Sequence, residues 1–165
     1  MASAFQPELS GTAKQAHGEA KVALLRPSLT IKRRFNASPE KLYAAWTDPE
    51  KVSQWFGCTG ASVIDASCDL RVGGSYTIAV RKENGEESRV GGVYRDIIPN
   101  RKLVFTWAPE QGLRAESLVT VLITPADSGS YLTLIHEQFV DEETRDAHKN
   151  GWGACLDKLE AYLAA

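Results

Sequence analysis

The chain has no run approaching the ~20 consecutive apolar residues that a membrane-spanning helix needs. Its N-terminus also lacks the basic segment followed by an apolar run that marks a secretory signal. Together these absences make a cytoplasmic protein, not inserted in a membrane, the expectation. Charge of one sign is not in excess: 19 basic residues against 21 acidic ones leave a net charge of -2, which offers no electrostatic ground for a nucleic-acid partner or an anionic bilayer. Cysteine is sparse. Cys58, Cys68 and Cys155 are odd in number and form no CxxC pair, so they read as reduced thiols and not as a disulfide framework, with Cys155 on a buried helix face. A zinc site from Cys58, Cys68 and a histidine would lack the usual ligand spacing. There is no GxSxG elbow and no HExxH helix, and the Gly91–Gly92 pair lacks the strand, loop and helix context of a phosphate-binding loop. No cofactor, metal or obligatory catalytic set is expected.

What is present is an ordinary globular composition, 43% hydrophobic and 24% charged over 165 residues. At that size one domain buries roughly two-thirds of the surface its unfolded chain exposes. Residues 1–26 mix Ala, Gly, Lys and Gln without sustained periodicity and read as an extension outside a core domain spanning 27–165. A mobile tail is the plain reading of this extension, with no role for His17; an arm that docks a second copy of the chain, giving a homodimer, is the sharper one.

From Leu29 to Phe35 apolar and polar residues alternate, the period of a half-exposed strand. Two short helices are predicted next. Ser38 caps the first, with Pro39 at its first position and Leu42, Tyr43 and Trp46 on its apolar face. Asp48 caps the second, with Pro49 first and Val52, Trp55 and Phe56 turned inward before Gly57 stops it. Six strand patterns follow between Ala61 and Phe139, separated by turn signals at Gly73–Gly74, Asn84–Gly85, Pro99–Asn100, Pro109 to Gly112, and Pro125 to Gly129. Short turns between consecutive strands imply an antiparallel meander.

A closing helix is predicted from about Asp141 to Leu163, its first turn crowded with Asp141, Glu142 and Glu143 as the helix dipole favours. On a wheel of ~100° per residue, His148, Trp152, Cys155, Leu156, Leu159, Tyr162 and Leu163 share one face. The fold class is therefore α+β: a curved seven-stranded antiparallel sheet gripping a long C-terminal helix. A strongly twisted sheet on a single helix does not fill its concave side everywhere, so a cavity is expected between them.

The stretches RRFNASPEKLYAAWTDPEKVSQWFG, CDLRVGGSY, GGVYRDIIPNRKLVFTW, LTLIHEQF and HKNGWGACLDKLEAYL, in this order, resemble homologues of the activator of the heat-shock protein 90 ATPase, within the START-like, birch-pollen-allergen-like superfamily. The resemblance covers residues 28–163 and implies a helix-grip fold with an apolar cavity under the last helix. That superfamily hosts lipid and hormone carriers, polyketide cyclases and proteins of unknown role on one scaffold, so the fold implies a site more firmly than an activity. The chaperone connection is not carried over as the first reading, because single-domain relatives of this size lack the co-chaperone's additional N-terminal domain. It stays as an alternative partner.

Strand parity nominates the cavity wall. Leu132, Leu134 and His136 share a face, as do Leu103, Phe105 and Trp107, then Val119, Val121 and Ile123, and the bulky set Tyr76, Ile78 and Val80. The expected ligand site takes Tyr76, Ile78, Tyr94, Phe105, Trp107, Val119 and Leu134 from the strands. Trp55, Phe56 and Trp152 form its mouth, the indole N–H groups of the two tryptophans orienting a guest; simple core filling is the plain alternative. His136 and His148 lie on otherwise apolar faces. Each either presents an imidazole to the cavity or is satisfied by a backbone carbonyl or a carboxylate such as Asp96 or Glu137. Arg71 either offers a cation to an acidic head group or pairs with Asp69 as a brace. Gly73 and Gly74 are expected at a bulge, Gly91 and Gly92 where the sheet curves or the helix comes close, and Gly151 where the last helix approaches its neighbours; Gly153 has no role. The expected function is binding of a small hydrophobic or aromatic molecule. A cyclase, dehydratase or hydrolase using a histidine of the same cavity is the enzymatic alternative.

Overall fold

The computed structural model describes residues 26–110 and 115–165, so the expectations for the N-terminal arm, for His17 and for the turn at Gly112 lie outside the described residues. The elements run β1 (Leu29–Phe35), α1 (Pro39–Thr47), α2 (Pro49–Trp55), β2 (Ser62–Cys68), β3 (Ser75–Arg81), β4 (Glu87–Ile98), β5 (Lys102–Pro109), β6 (Ser117–Ala126), β7 (Gly129–Glu137) and α3 (Glu142–Ala164). The seven strands form one sheet in the order β1-β7-β6-β5-β4-β3-β2, every neighbouring pair antiparallel. It is the expected meander with β1 added beside β7, in an α+β architecture.

Local chemistry explains the helices. Ser38 Oγ accepts from Lys41 N at 3.1 Å, with Pro39 at the first position of α1. Asp48 serves both short helices: its N–H closes α1 on Ala44 O, and its carboxylate accepts from Glu50 N at 3.0 Å to open α2. Gly57, at φ +105°, takes the left-handed conformation that ends α2. Asp141 Oδ1 accepts from Thr144 N at 2.7 Å to start α3, a bond that holds its carboxyl below the usual carboxylate range.

Trp152, Cys155, Leu156, Leu159 and Leu163 bury one face of α3. Polar tethers fix the rest of the helix. Arg33 of β1 reaches Asp157 at 2.7 Å, Lys41 of α1 donates to Leu163 O at 3.3 Å, and Lys158 donates to Phe56 O and Ala61 O at 3.4 and 3.3 Å. Leu42, Val119, Val121, Leu132, Leu134, Leu156 and Leu159 are fully buried and form the deepest core.

Three expectations need correction. The Gly73–Gly74 pair forms a turn and not a bulge: β2 ends at Cys68, Asp69 N bonds Ser75 O, Gly74 N bonds Arg71 O, and a Cβ on Gly74 would run into the Asp69 carbonyl. The register shifts fall elsewhere, between Val63 and Asp65 and between Tyr94 and Asp96. At Gly92 the close neighbour is the Thr106 carbonyl of β5, not the last helix; a Cβ there would overlap it, while Thr106 Oγ1 accepts from Val93 N at 2.8 Å. Finally, Pro125 does not close β6: it pairs with Ser130, and the strand continues to Ala126 before a two-residue turn.

Candidate functional site under the last helix

A pocket of about 300 Å³ lies between the N-terminal half of α3 and the curled β3–β5 end of the sheet. Phe56, at the end of α2, forms one wall with Ile78 and Val80 of β3. Val90, Trp107 and Pro109 form the sheet side, and His148, Gly151, Trp152 and Cys155 descend from α3. The exposed residues Cys58, Ser88 and Ala147 stand at the rim with Arg89, whose guanidinium lies 3.3 Å from Asp65 and 3.7 Å from Glu110. A Cβ built on Gly151 meets nothing within 4 Å. The expectation that Gly151 admits a close neighbour is therefore wrong; the missing side chain leaves the pocket open. Gly153 also faces open space, and nothing in the structure explains it.

Behind this pocket lies a smaller cavity of about 30 Å³ that shares Phe56, Ile78, Trp107 and Trp152 with it. Its further wall is mostly aromatic, with Trp46, Trp55, Tyr76, Tyr94 and Phe105 beside the aliphatic Val52 and Leu103. A third cavity, also about 30 Å³, touches Trp46, Tyr76 and Tyr94 from the side of Cys68. The rings interlock, with Trp46 and Trp55 centred 4.8 Å apart, Trp107 and Trp152 5.1 Å, and Tyr76 and Phe105 5.3 Å. Such edge and tilted geometries are the preferred ones for aromatic quadrupoles.

A buried relay ties α3 to the sheet. Trp152 Nε1 donates to His136 Nδ1 at 3.0 Å, so the neutral ring carries its proton on Nε2 and donates to Ser117 Oγ at 2.7 Å. The Ser117 hydroxyl in turn donates to the Trp107 carbonyl at 3.3 Å. His136 is fully buried; desolvation, with His148 only 5.1 Å away ring to ring, pushes its pKa down to about 3. His148 is half-buried at the pocket wall, its Nδ1 donating to Thr144 O at 2.8 Å and its Nε2 accepting from Trp107 Nε1 at 3.3 Å. Both nitrogens of each imidazole are thus engaged. A backbone carbonyl does satisfy His148, but the partners of His136 are a serine and a tryptophan, not a carboxylate; Asp96 instead pairs with Lys102 at 3.0 Å.

Of the residues nominated from sequence, Phe56, Ile78, Trp107, His148 and Trp152 line the larger pocket, and Trp55, Tyr76, Tyr94 and Phe105 the smaller cavity. Val119 and Leu134 are closed within the core, and His136 lies in the relay. Arg71 sits in an exposed turn, bonded to Asp69 at 2.7 Å and away from the pocket. The expected guest-orienting indole donors at the mouth are also corrected, since Trp55 Nε1 donates to Ala45 O at 2.9 Å and Trp152 to His136.

Strand parity had nominated Val80 for the cavity wall, and it lines the pocket; sequence reasoning missed Cys155 as a lining residue, although the helix wheel had put it on the right face. It also missed Val90, Arg89 and Cys58, for which no local signal existed, because only the curl of the sheet brings them to α3. Burial raises the thiol of Cys155 to about 11, and burial likewise raises the phenols of Tyr76 and Tyr94. These groups are neutral at physiological pH.

An antiparallel sheet closed on one long helix, with two short helices after the first strand and a greasy pocket under the grip, defines a START-like helix-grip domain. The family described as activator of Hsp90 ATPase homolog 1-like protein matches residues 36–164, and the chain belongs to that family. No curated protein matches the chain. Among solved structures, the chain is 31% identical to a protein of this family from Silicibacter pomeroyi, with a TM-score of 0.75 over 84% of this chain and 98% of the other. A protein from Chromobacterium violaceum aligns at 25% identity and a TM-score of 0.78, covering 84% and 97% of the two chains. The protein CalU16 from Micromonospora echinospora aligns at 26% identity and a TM-score of 0.65, covering 82% and 75%.

Proposed function

We propose that this protein binds a small hydrophobic or aromatic molecule in the pocket between α3 and the β3–β5 end of the sheet. The observation that carries this reading is an apolar-walled space of about 300 Å³ that opens beside a glycine on an otherwise well-formed helix. That volume is at the small end of ligand pockets and suits a molecule of two or three rings. A guest that loses ~250 Å² of apolar surface to water gains roughly 6 kcal/mol before the costs of association. Affinity of about 0.1 mM or weaker follows for an unoptimised guest. Ser88, Arg89 and Cys58 at the rim supply polar contacts for its outer end.

Binding is favoured over proton transfer because the imidazole on the pocket wall already has both nitrogens in hydrogen bonds, and the other is buried and neutral. Native mass spectrometry of gently purified protein, together with titration by the neutral dye N-phenylnaphthylamine, tests this. The expected result is saturable one-to-one uptake with a blue-shifted emission. A protein that carries no adduct and takes up no apolar probe would refute it.

A further inference from the structure

The four tryptophans differ in how their N–H groups are satisfied. Trp55 donates to Ala45 O, Trp107 to His148 and Trp152 to His136. Trp46 Nε1 is the one buried side-chain nitrogen or oxygen among the described residues that has no hydrogen-bond partner. Its residue is only 8% exposed, and its ring borders both small cavities. A buried N–H without an acceptor costs on the order of 1–3 kcal/mol. No protein acceptor lies within hydrogen-bonding geometry of it.

From this we infer that the larger pocket and the cavity behind it form one site, and that Trp46 reads a hydrogen-bond acceptor, a carbonyl or ether oxygen, at the inner end of the bound molecule. The inference rests on the ligand-binding reading above and narrows the ligand class to apolar ring systems that carry an acceptor and no charge at the buried end. Charge is disfavoured there because the wall is aromatic, with Tyr76 and Tyr94 neutral and Tyr76 already donating to Thr106 O at 2.6 Å. Four side chains separate the two spaces. Trp107 and Trp152 are pinned by their N–H bonds, whereas Phe56 and Ile78 have no polar tether, so the passage opens by their rotation. Phe56 is half-buried and caps the end of α2, where a rotamer change disturbs no helix turn.

Fluorenone and fluorene have nearly the same shape and differ by one carbonyl oxygen, so they isolate the acceptor. Wild-type protein is expected to bind fluorenone about three- to tenfold more tightly than fluorene, the worth of one net hydrogen bond. Trp46→Phe is expected to lose that ratio and bind the two compounds about equally. In proton NMR of the wild type, one of the four indole N–H signals should move downfield with fluorenone and less with fluorene, which tests the inference even if the variant does not fold. A ratio unchanged in Trp46→Phe, equal affinities in the wild type, or an indole signal that stays bonded to water and ignores fluorenone would overturn the Trp46 assignment and leave the pocket standing. Binding of neither compound would overturn both.

Discussion

His136 shows how one side chain's chemistry follows from its partners. Its ring accepts from Trp152 on α3 and donates to Ser117 on β6, so it joins helix to sheet only while neutral. With the folded pKa held near 3 and the usual value at 6.5, the unfolded chain takes up a proton between those limits that the folded chain refuses. The stability this group confers is therefore complete above pH ~6.5 and falls on acidification, by up to about 1.4 kcal/mol per pH unit. Urea denaturation at several pH values should show that slope in the wild type, and a shallower one in His136→Leu. The variant should also be about 2–3 kcal/mol less stable at neutral pH, because it strands the Trp152 N–H and the Ser117 hydroxyl. Identical slopes would mean that the ring is protonated in the folded state.

The thiols separate in the same way. Cys58 is exposed at the pocket rim, and Cys155 is buried with its pKa raised to about 11. An iodoacetamide time course followed by mass spectrometry should modify Cys58 first and Cys155 only on unfolding, and a bound dye should slow the Cys58 reaction.

The glycines make the case for elements. Gly92 is fixed by the passing Thr106 carbonyl, so Gly92→Ala should cost more than ~2 kcal/mol in thermal or chemical unfolding. Gly153 faces open space in mid-helix, so Gly153→Ala should gain about 1 kcal/mol. Two caps and the periodicity were legible at this scale because each is written in adjacent residues: Ser38–Pro39 and Asp48–Pro49 mark their helices, and Leu29 to Phe35 alternate as the strand does, whereas Asp141, expected in the first turn, is the cap of the last helix. What a glycine accommodates was not legible, because the close neighbour comes from a different strand or is missing altogether. The sequence pattern at Gly151 is the same whether a helix packs against it or a pocket opens beside it.

At the scale of the whole molecule, the order of elements and the family were readable from motif order, and the roof role of α3 from its apolar stripe. The partition of the interior was not. Leu134 and Val119 have the same parity signature as Trp107, yet they are closed within the core, while Trp107 lines the pocket. Tethers at Asp157, Lys158 and Leu163 hold the C-terminal half of the helix down. The His148 end is held by the bond from Arg145 to Ser28 O, the bond from Trp107 and aromatic contacts. Space collects at this end of the grip, beside Gly151.

Gly151→Phe places a ring in that space without touching the core, and helix propensity favours the change. The most direct test of the pocket is the N-phenylnaphthylamine affinity of this variant beside the wild type, with thermal unfolding measured on both. Unchanged or slightly higher stability is expected, with at least about tenfold weaker dye binding, the loss of 1.4 kcal/mol or more of burial. Equal affinity in a fully folded variant would contradict binding in this pocket.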